Sequence, residues 1–196
     1  MTRIGRVAGL ACWSLALACT PTPPPGEPMG TYSVTAMPVD IQCQLDDVAP
    51  GEISFDATLS REPQSQTAYF TLARYTRDAS FDGQIFTSRG EASRTFSACG
   101  NCATRVVEVF SVAVLSRSQS EALHQQCPPA PFDGGLPQPD DAGVTLPTQT
   151  SVGFDAVRLC GELFSWVEAQ GLPDGGPCDA VCSQCQVRYQ VVGDRR

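Results

Sequence analysis

Apolar and polar residues alternate with a period of two along most of this chain, which is the pattern of strands with one buried face. Tyr32, Val34 and Ala36 alternate with small polar residues. Ile53, Phe55, Ala57 and Leu59 alternate with Ser54, Asp56 and Thr58, the clearest strand of all. Residues 67–75 and 81–87 read as further strands, although Asp82-Gly83 inside the latter also fits a turn. Residues 104–115 (TRVVEVFSVAVL) are rich in β-branched and aromatic side chains and predict a long strand. Residues 151–159 and 186–192 complete the set.

Helical signals are few. Ser118-Gln119-Ser120-Glu121 fits a capping box, and predicts a short helix near 118–126 that Cys127-Pro128-Pro129 stops. Residues 161–170 (GELFSWVEAQ) fit either a helix ended by Gly171 and Pro173 or another strand. Residues 128–149 hold six prolines and the run Asp133-Gly134-Gly135, and predict a flexible surface insertion. Pro173-Asp174-Gly175-Gly176-Pro177 is a second turn region. About seven or eight strands with one short helix point to an all-β domain, an antiparallel barrel or sandwich.

The N-terminus has a different character. Arg3 and Arg6 precede Val7–Ala18, a 12-residue uncharged stretch. That is the length of a signal-peptide apolar region and short of the roughly 20 residues of a spanning helix. It ends in Leu15-Ala16-Leu17-Ala18-Cys19. This segment resembles the lipobox of bacterial lipoproteins, with Ala16 where the commonest version has Leu. The resemblance covers residues 1–19 and concerns processing. It implies removal of residues 1–18, lipidation of Cys19, and anchoring to a membrane of the cell envelope. Thr20 stands where an Asp would retain such a protein at the inner membrane, which implies the outer one. Residues 19–29 then form the lipidated Cys and a Pro-rich tether, and 30–196 a single Cys-rich domain. Gly30-Thr31-Tyr32 at the first strand and Arg195 at the last are faintly similar to the end signatures of lipocalin-like barrels, with Tyr32 in place of the family's Trp and its middle motif missing.

Charge narrows the partners. The chain carries 13 basic residues, all Arg, against 21 acidic ones, a net charge of −8. Loss of Arg3 and Arg6 would make that −10. An acidic surface argues against nucleic acid and against anionic lipid bound through the body itself. The remaining partners are the membrane through the N-terminal lipid, and a protein or small apolar ligand.

Setting Cys19 aside leaves Cys43, Cys99, Cys102, Cys127, Cys160, Cys178, Cys182 and Cys185 in the body. An even count in an exported chain predicts four disulfides, although on the order of a hundred pairings are open. Cys99-Gly100-Asn101-Cys102 has the spacing of a thiol–disulfide exchange site. It lies between period-2 stretches rather than at a helix start, so the expectation is a Cys99–Cys102 clip at a hairpin tip. Cys178, Cys182 and Cys185 have the spacing with which radical-SAM enzymes hold an iron–sulfur cluster, but they end a small β chain in an oxidising setting. Two CxxC pairs, Cys99/Cys102 and Cys182/Cys185, are too far apart for the usual zinc knuckle pairing. No metal site or cofactor is therefore assigned.

His124 is the only histidine, and no Gly-x-Ser-x-Gly elbow exists for it to serve. Asp133, Asp140 and Asp141 lack the spacing of a calcium loop. Phe70, Tyr69, Tyr75 and Trp166 read as core or surface aromatics. No catalytic residue is assigned. The expected function is a lipid-anchored binding or structural module. The alternative is an extracytoplasmic thiol–disulfide oxidoreductase using Cys99 and Cys102.

Overall fold

A computed structural model describes residues 23–43, 51–96, 99, 102–127, 155–171, 178 and 184–196. The signal segment, Cys19, the start of the tether, Cys182 and the 128–149 insertion lie outside the described residues. Eight strands close into one antiparallel barrel in which every strand pairs with its neighbours in sequence, and β8 returns to β1. The strands are β1 (Glu27–Ile41), β2 (Ile53–Arg61), β3 (Thr67–Leu72), β4 (Tyr75–Phe81), β5 (Ile85–Thr95), β6 (Ala103–Ser116), β7 (Ala156–Gly171) and β8 (Cys185–Arg195). One short helix, α1 (Arg117–Ala122), follows β6. The barrel alternative is thus the one adopted. Closure removes free sheet edges.

The ladder explains which alternation was real. Tyr32, Val34 and Ala36 are fully buried, and so are Ala57 opposite Tyr32 and Leu59 opposite Gly30. The segment 67–75 is not one strand: it turns at Ala73-Arg74, with Ala73 at φ +54°. Residues 81–87 also span a turn, where the Asp82 carboxylate accepts from the amides of Gln84 and Ile85 at 2.9 and 2.7 Å. Residues 161–170 are strand, because β7 runs unbroken from Ala156 to Gly171 against both β6 and β8. Gly161 permits that contact, since a Cβ there would overlap the Ser111 carbonyl oxygen on β6.

The helix starts two residues earlier than the sequence suggests and ends at Ala122 rather than near 126. Its N-cap is Ser116, the last residue of β6, whose Oγ accepts from the Gln119 amide while Gln119 Oε1 accepts from the Ser116 amide. Gln serves in a capping box as Glu does, so Ser116–Gln119 competes with Ser118–Glu121 and wins by lying at the strand end. His124 and Gln125 follow at positive φ and break the helix.

The two ends of the barrel differ. The base carries the start of β1, α1 and the end of β8. It is sealed by Met29, Tyr32, Phe81 and Phe86, each at most 4% exposed. Tyr32 Oη donates to the Met29 carbonyl at 3.2 Å, and burial pushes its phenol far above the usual range. Arg195 pairs with Tyr32 across β1 and β8 and donates to the Ala156 carbonyl at 3.0 Å. A Cβ on Gly30, at φ +144°, would lie 3.1 Å from Tyr32 Oη and 3.2 Å from Arg195 Nε. Gly30, Tyr32 and Arg195 therefore meet in space at the sealed end. The opposite end, the rim, holds the turn between β3 and β4 and the ends of β1, β5 and β7.

Candidate functional site: a rimward cup

Ladder parity turns alternate residues of each strand into the lumen. Across its middle the lumen is blocked by aromatic rings. Phe70 and Phe110 pack tilted at 4.9 Å between centroids, and Phe86 and Phe55 lie 6.4 Å from Phe70 and Phe110 respectively. Phe55 on β2 and Phe110 on β6 come from opposite walls, so their edge contact spans the barrel and rules out a through-channel at that level.

Toward the rim the interior changes. Ile53, Phe55, Leu72 and Leu163 share the inward face with buried neighbours yet are only half-buried. Arg77, Glu108 and Ser165 are inward by the same parity and equally open. Thr104, Val106, Val167 and Val187, also inward and rimward of the rings, are buried, so the exposure is confined to part of the wall. The partly exposed stretch above the aromatic floor is the candidate cup, with a mixed wall.

One row of the sheet gives the cup its charge. Phe70 pairs with Arg77, Gly90 with Glu108, and Glu108 with Ser165. Arg77 Nη1 lies 3.1 Å from Glu108 Oε2, with the two side chains 35% and 33% exposed. Gly90 stands between them, and a Cβ there would overlap Arg77 Nη1. Glycine is thus what lets arginine reach across β5. The same place is the weakest seam of the wall. β4 and β5 share three paired residues, Ala79 to Phe81 against Phe86 to Ser88, while β5 continues to Thr95 against β6. Ser88 Oγ donates to the Asp78 carbonyl at 3.2 Å where that ladder stops.

The rim is also where two described disulfides sit. Cys43 bonds Cys185, continuing the β1–β8 ladder one pair beyond Gln42, whose amide donates to the Gln186 carbonyl at 2.9 Å. Cys102 bonds Cys178, 76 residues away. The expected Cys99–Cys102 clip is therefore not formed. Thr95 already pairs with Ala103, so the two cysteines lie within the connection rather than at facing ladder positions. The Cys102 amide donates to the Cys99 carbonyl at 3.0 Å, which makes a turn without joining the sulfurs. Cys99 is disulfide-bonded to a residue outside those described, and both cysteines are at least nine-tenths buried. Cys127 bonds Cys160 on the outside of the barrel. Three pairs are thus nested, 127–160 within 102–178 within 43–185. Cys182 is the body cysteine left without an assigned partner. Peptide mapping under non-reducing conditions is expected to join it to Cys99, and a free Cys182 thiol would contradict this.

The other residues singled out from sequence do not gather. Tyr69 donates to Glu62 at 3.3 Å on the outer wall, Trp166 points outward and is 39% exposed, and Tyr75 stands at the rim, 78% exposed. Among the described residues no group of His, Cys, Asp and Glu is placed to hold a metal ion, and no helix is long and apolar enough to cross a membrane. Asp133, Asp140 and Asp141 lie outside the described residues. Arg77, Glu108 and Gly90 were not singled out from sequence, because a charge within a strand reads as a solvent-facing position. The signal was available in parity, since Arg77 shares its face with Ala79 and Phe81, and Glu108 with Val106 and Phe110.

Glu162 on the outer face of β7 supplies a pH-dependent element. Its Oε1 is buried without a hydrogen-bond partner. Burial raises the carboxyl above its usual range, with nearby Arg188 opposing the shift. A raised folded-state value favours the protonated, folded form. That stabilisation is fully present below about pH 4.5, the ordinary glutamate range, and is lost as pH rises through the shifted value. Glu162→Gln is therefore expected to stabilise the protein at neutral pH by about 1 kcal/mol, with the gain fading in acid. Thermal melts across pH check this, and a destabilised variant at neutral pH would refute it.

No protein family, curated protein or solved structure matches this chain.

Proposed function

We propose that this protein is a lipid-anchored binding module of the cell envelope, held by acyl chains on Cys19 and taking a small ligand with an apolar body into the rimward cup. The observation that carries the reading is the polarity of the barrel. The base is packed with buried side chains, and toward the rim several inward apolar groups above the aromatic floor are only half-buried. Ligand sites of small barrels are cavities of this kind, apolar with a few placed polar groups. Proteins that only space or scaffold have no need of an open interior.

The anchor reading fits the same polarity. β1 starts at the base, so a tether from Cys19 enters at the sealed end and the cup faces away from the membrane. Two or more acyl chains give stable attachment, at about 0.8 kcal/mol per buried CH₂. The disulfides support an oxidising compartment. The exchange-enzyme alternative gains nothing from cysteines that are buried and bonded to partners distant in sequence.

The test uses the neutral fluorophore N-phenyl-1-naphthylamine with the folded protein. It is expected to brighten in the presence of wild-type protein and not with Ser165→Trp, which fills the cup. A wild-type protein that leaves the dye dark would overturn the cup, while loss of metabolic labelling by a palmitate analogue in Cys19→Ser separately tests the anchor.

A further inference from the structure

Among the described residues, the charged positions on the lumen face toward the rim are Arg77, Arg94 and Glu108, placed there by their ladder partners Phe70, Thr104 and Gly90. Two positive charges against one negative leave these described positions net cationic, in a chain whose overall charge is −8. The excess is local and opposite in sign to the rest of the molecule. Arg94 has no ion-pair partner among the described residues, and Arg77 engages Glu108 through one nitrogen only. The guanidinium fork of Arg77 therefore keeps donors for a further anion. Gly90 lets that guanidinium lie over the β5 backbone, and the apolar groups nearby, Phe55, Leu72 and the Phe70–Phe110 pair, offer no polar partner to a ligand's body.

We propose that the cup selects an amphiphile with an apolar tail and a single anionic head, the tail lying on the aromatic floor and the head on Arg77. The inference rests on the cup being a ligand site and adds the chemistry of the ligand. Glu108 has a defined part in it. In the empty cup it balances Arg77, and on binding it competes with the head for the same guanidinium. It thereby lowers affinity for any anion too weak to displace it, and excludes a second acidic group.

Three ligands with the same tail and different heads test this: dodecanoate, dodecanol and dodecyltrimethylammonium, each below its micelle concentration, measured by displacement of N-phenyl-1-naphthylamine. Dodecanoate is expected to bind about tenfold more tightly than dodecanol, the worth of one charge-assisted contact. Arg77→Gln should abolish that preference while leaving dodecanol unchanged, and Arg77→Lys should restore part of it. Glu108→Gln should tighten dodecanoate several-fold by removing the competitor. Equal affinity for acid and alcohol, a preference that survives Arg77→Gln, or a preference for the cation would overturn the proposal and leave the cup standing. If none of the three displaces the dye, the cup reading falls as well. Unchanged circular dichroism of each variant separates loss of the contact from loss of the fold.

Discussion

Replacing both Cys43 and Cys185 by Ser is expected to lower the stability of the barrel by about 4 kcal/mol, a drop of about 10 °C in Tm for a chain of this size. The bond closes a separation of 142 residues, and cross-links over long loops remove the most freedom from the unfolded chain. The loss is somewhat less than that length alone gives, because Cys102–Cys178 is nested within it and already shortens the loop. The effect is expected to fall mainly on unfolding of the whole barrel, since β1 and β8 are the strands that meet last in sequence and first at the closing seam. Denaturant melts of the double-serine protein with the other bonds intact measure it. A change under about 1 kcal/mol would mean that the unfolded chain is held together without this bond.

Phe110→Ala should cost a similar amount, about 4 kcal/mol, the range for a large buried aromatic. Phe110 is 4% exposed and meets Phe70 at 4.9 Å and Phe55 at 6.4 Å. Those partners come from β2 and β3, the far wall, so collapse around the missing ring would require the barrel to flatten. Rigid closure resists that, and a cavity should persist. Phe55→Ala removes a ring that is already half-exposed and should cost about half as much. Chemical denaturation of the two variants compares them directly. Equal costs would show that the floor is not the keystone of the core. If the cup binds as proposed, Phe110→Ala should also admit longer tails than wild type does.

Much of the fold was legible because one face of most strands is consistently apolar. β2 and β6 appear in the sequence nearly as they stand, and β1 only over its middle, Tyr32 to Ala36. β3 and β4 were fused because their turn at Ala73-Arg74 contains no Gly, Asn or Pro, although Ala73 takes the positive φ that those residues usually supply. β7 was ambiguous because its outward face carries Phe164 and Trp166, so apolar residues fall on both faces and the period blurs. The capping box was found in kind and misplaced by two residues, since Gln and Glu satisfy the motif equally. The candidate cup was not legible at all. Its charge row depends on three strands being in register, and a single sequence shows register only after the turns are known. Cysteine pairing was hidden for the same reason: Cys102 faces Cys178 only once β5, β6 and β7 are assembled.

The distribution of bonding around the ring also sets how the molecule breathes. The joint between β1 and β8 is fastened at both ends, by the Arg196 amide on the Thr31 carbonyl at 3.0 Å near the base and by Cys43–Cys185 at the rim. The joint between β4 and β5 lies diametrically opposite in an eight-stave ring and is held by three residue pairs and the side-chain bridge over Gly90. Thermal motion that opens a closed hoop concentrates at its least-fastened joint, and the joint facing the clasp acts as the hinge's free side. Transient parting of β4 from β5 would then widen the lumen beside Arg77 without disturbing the base.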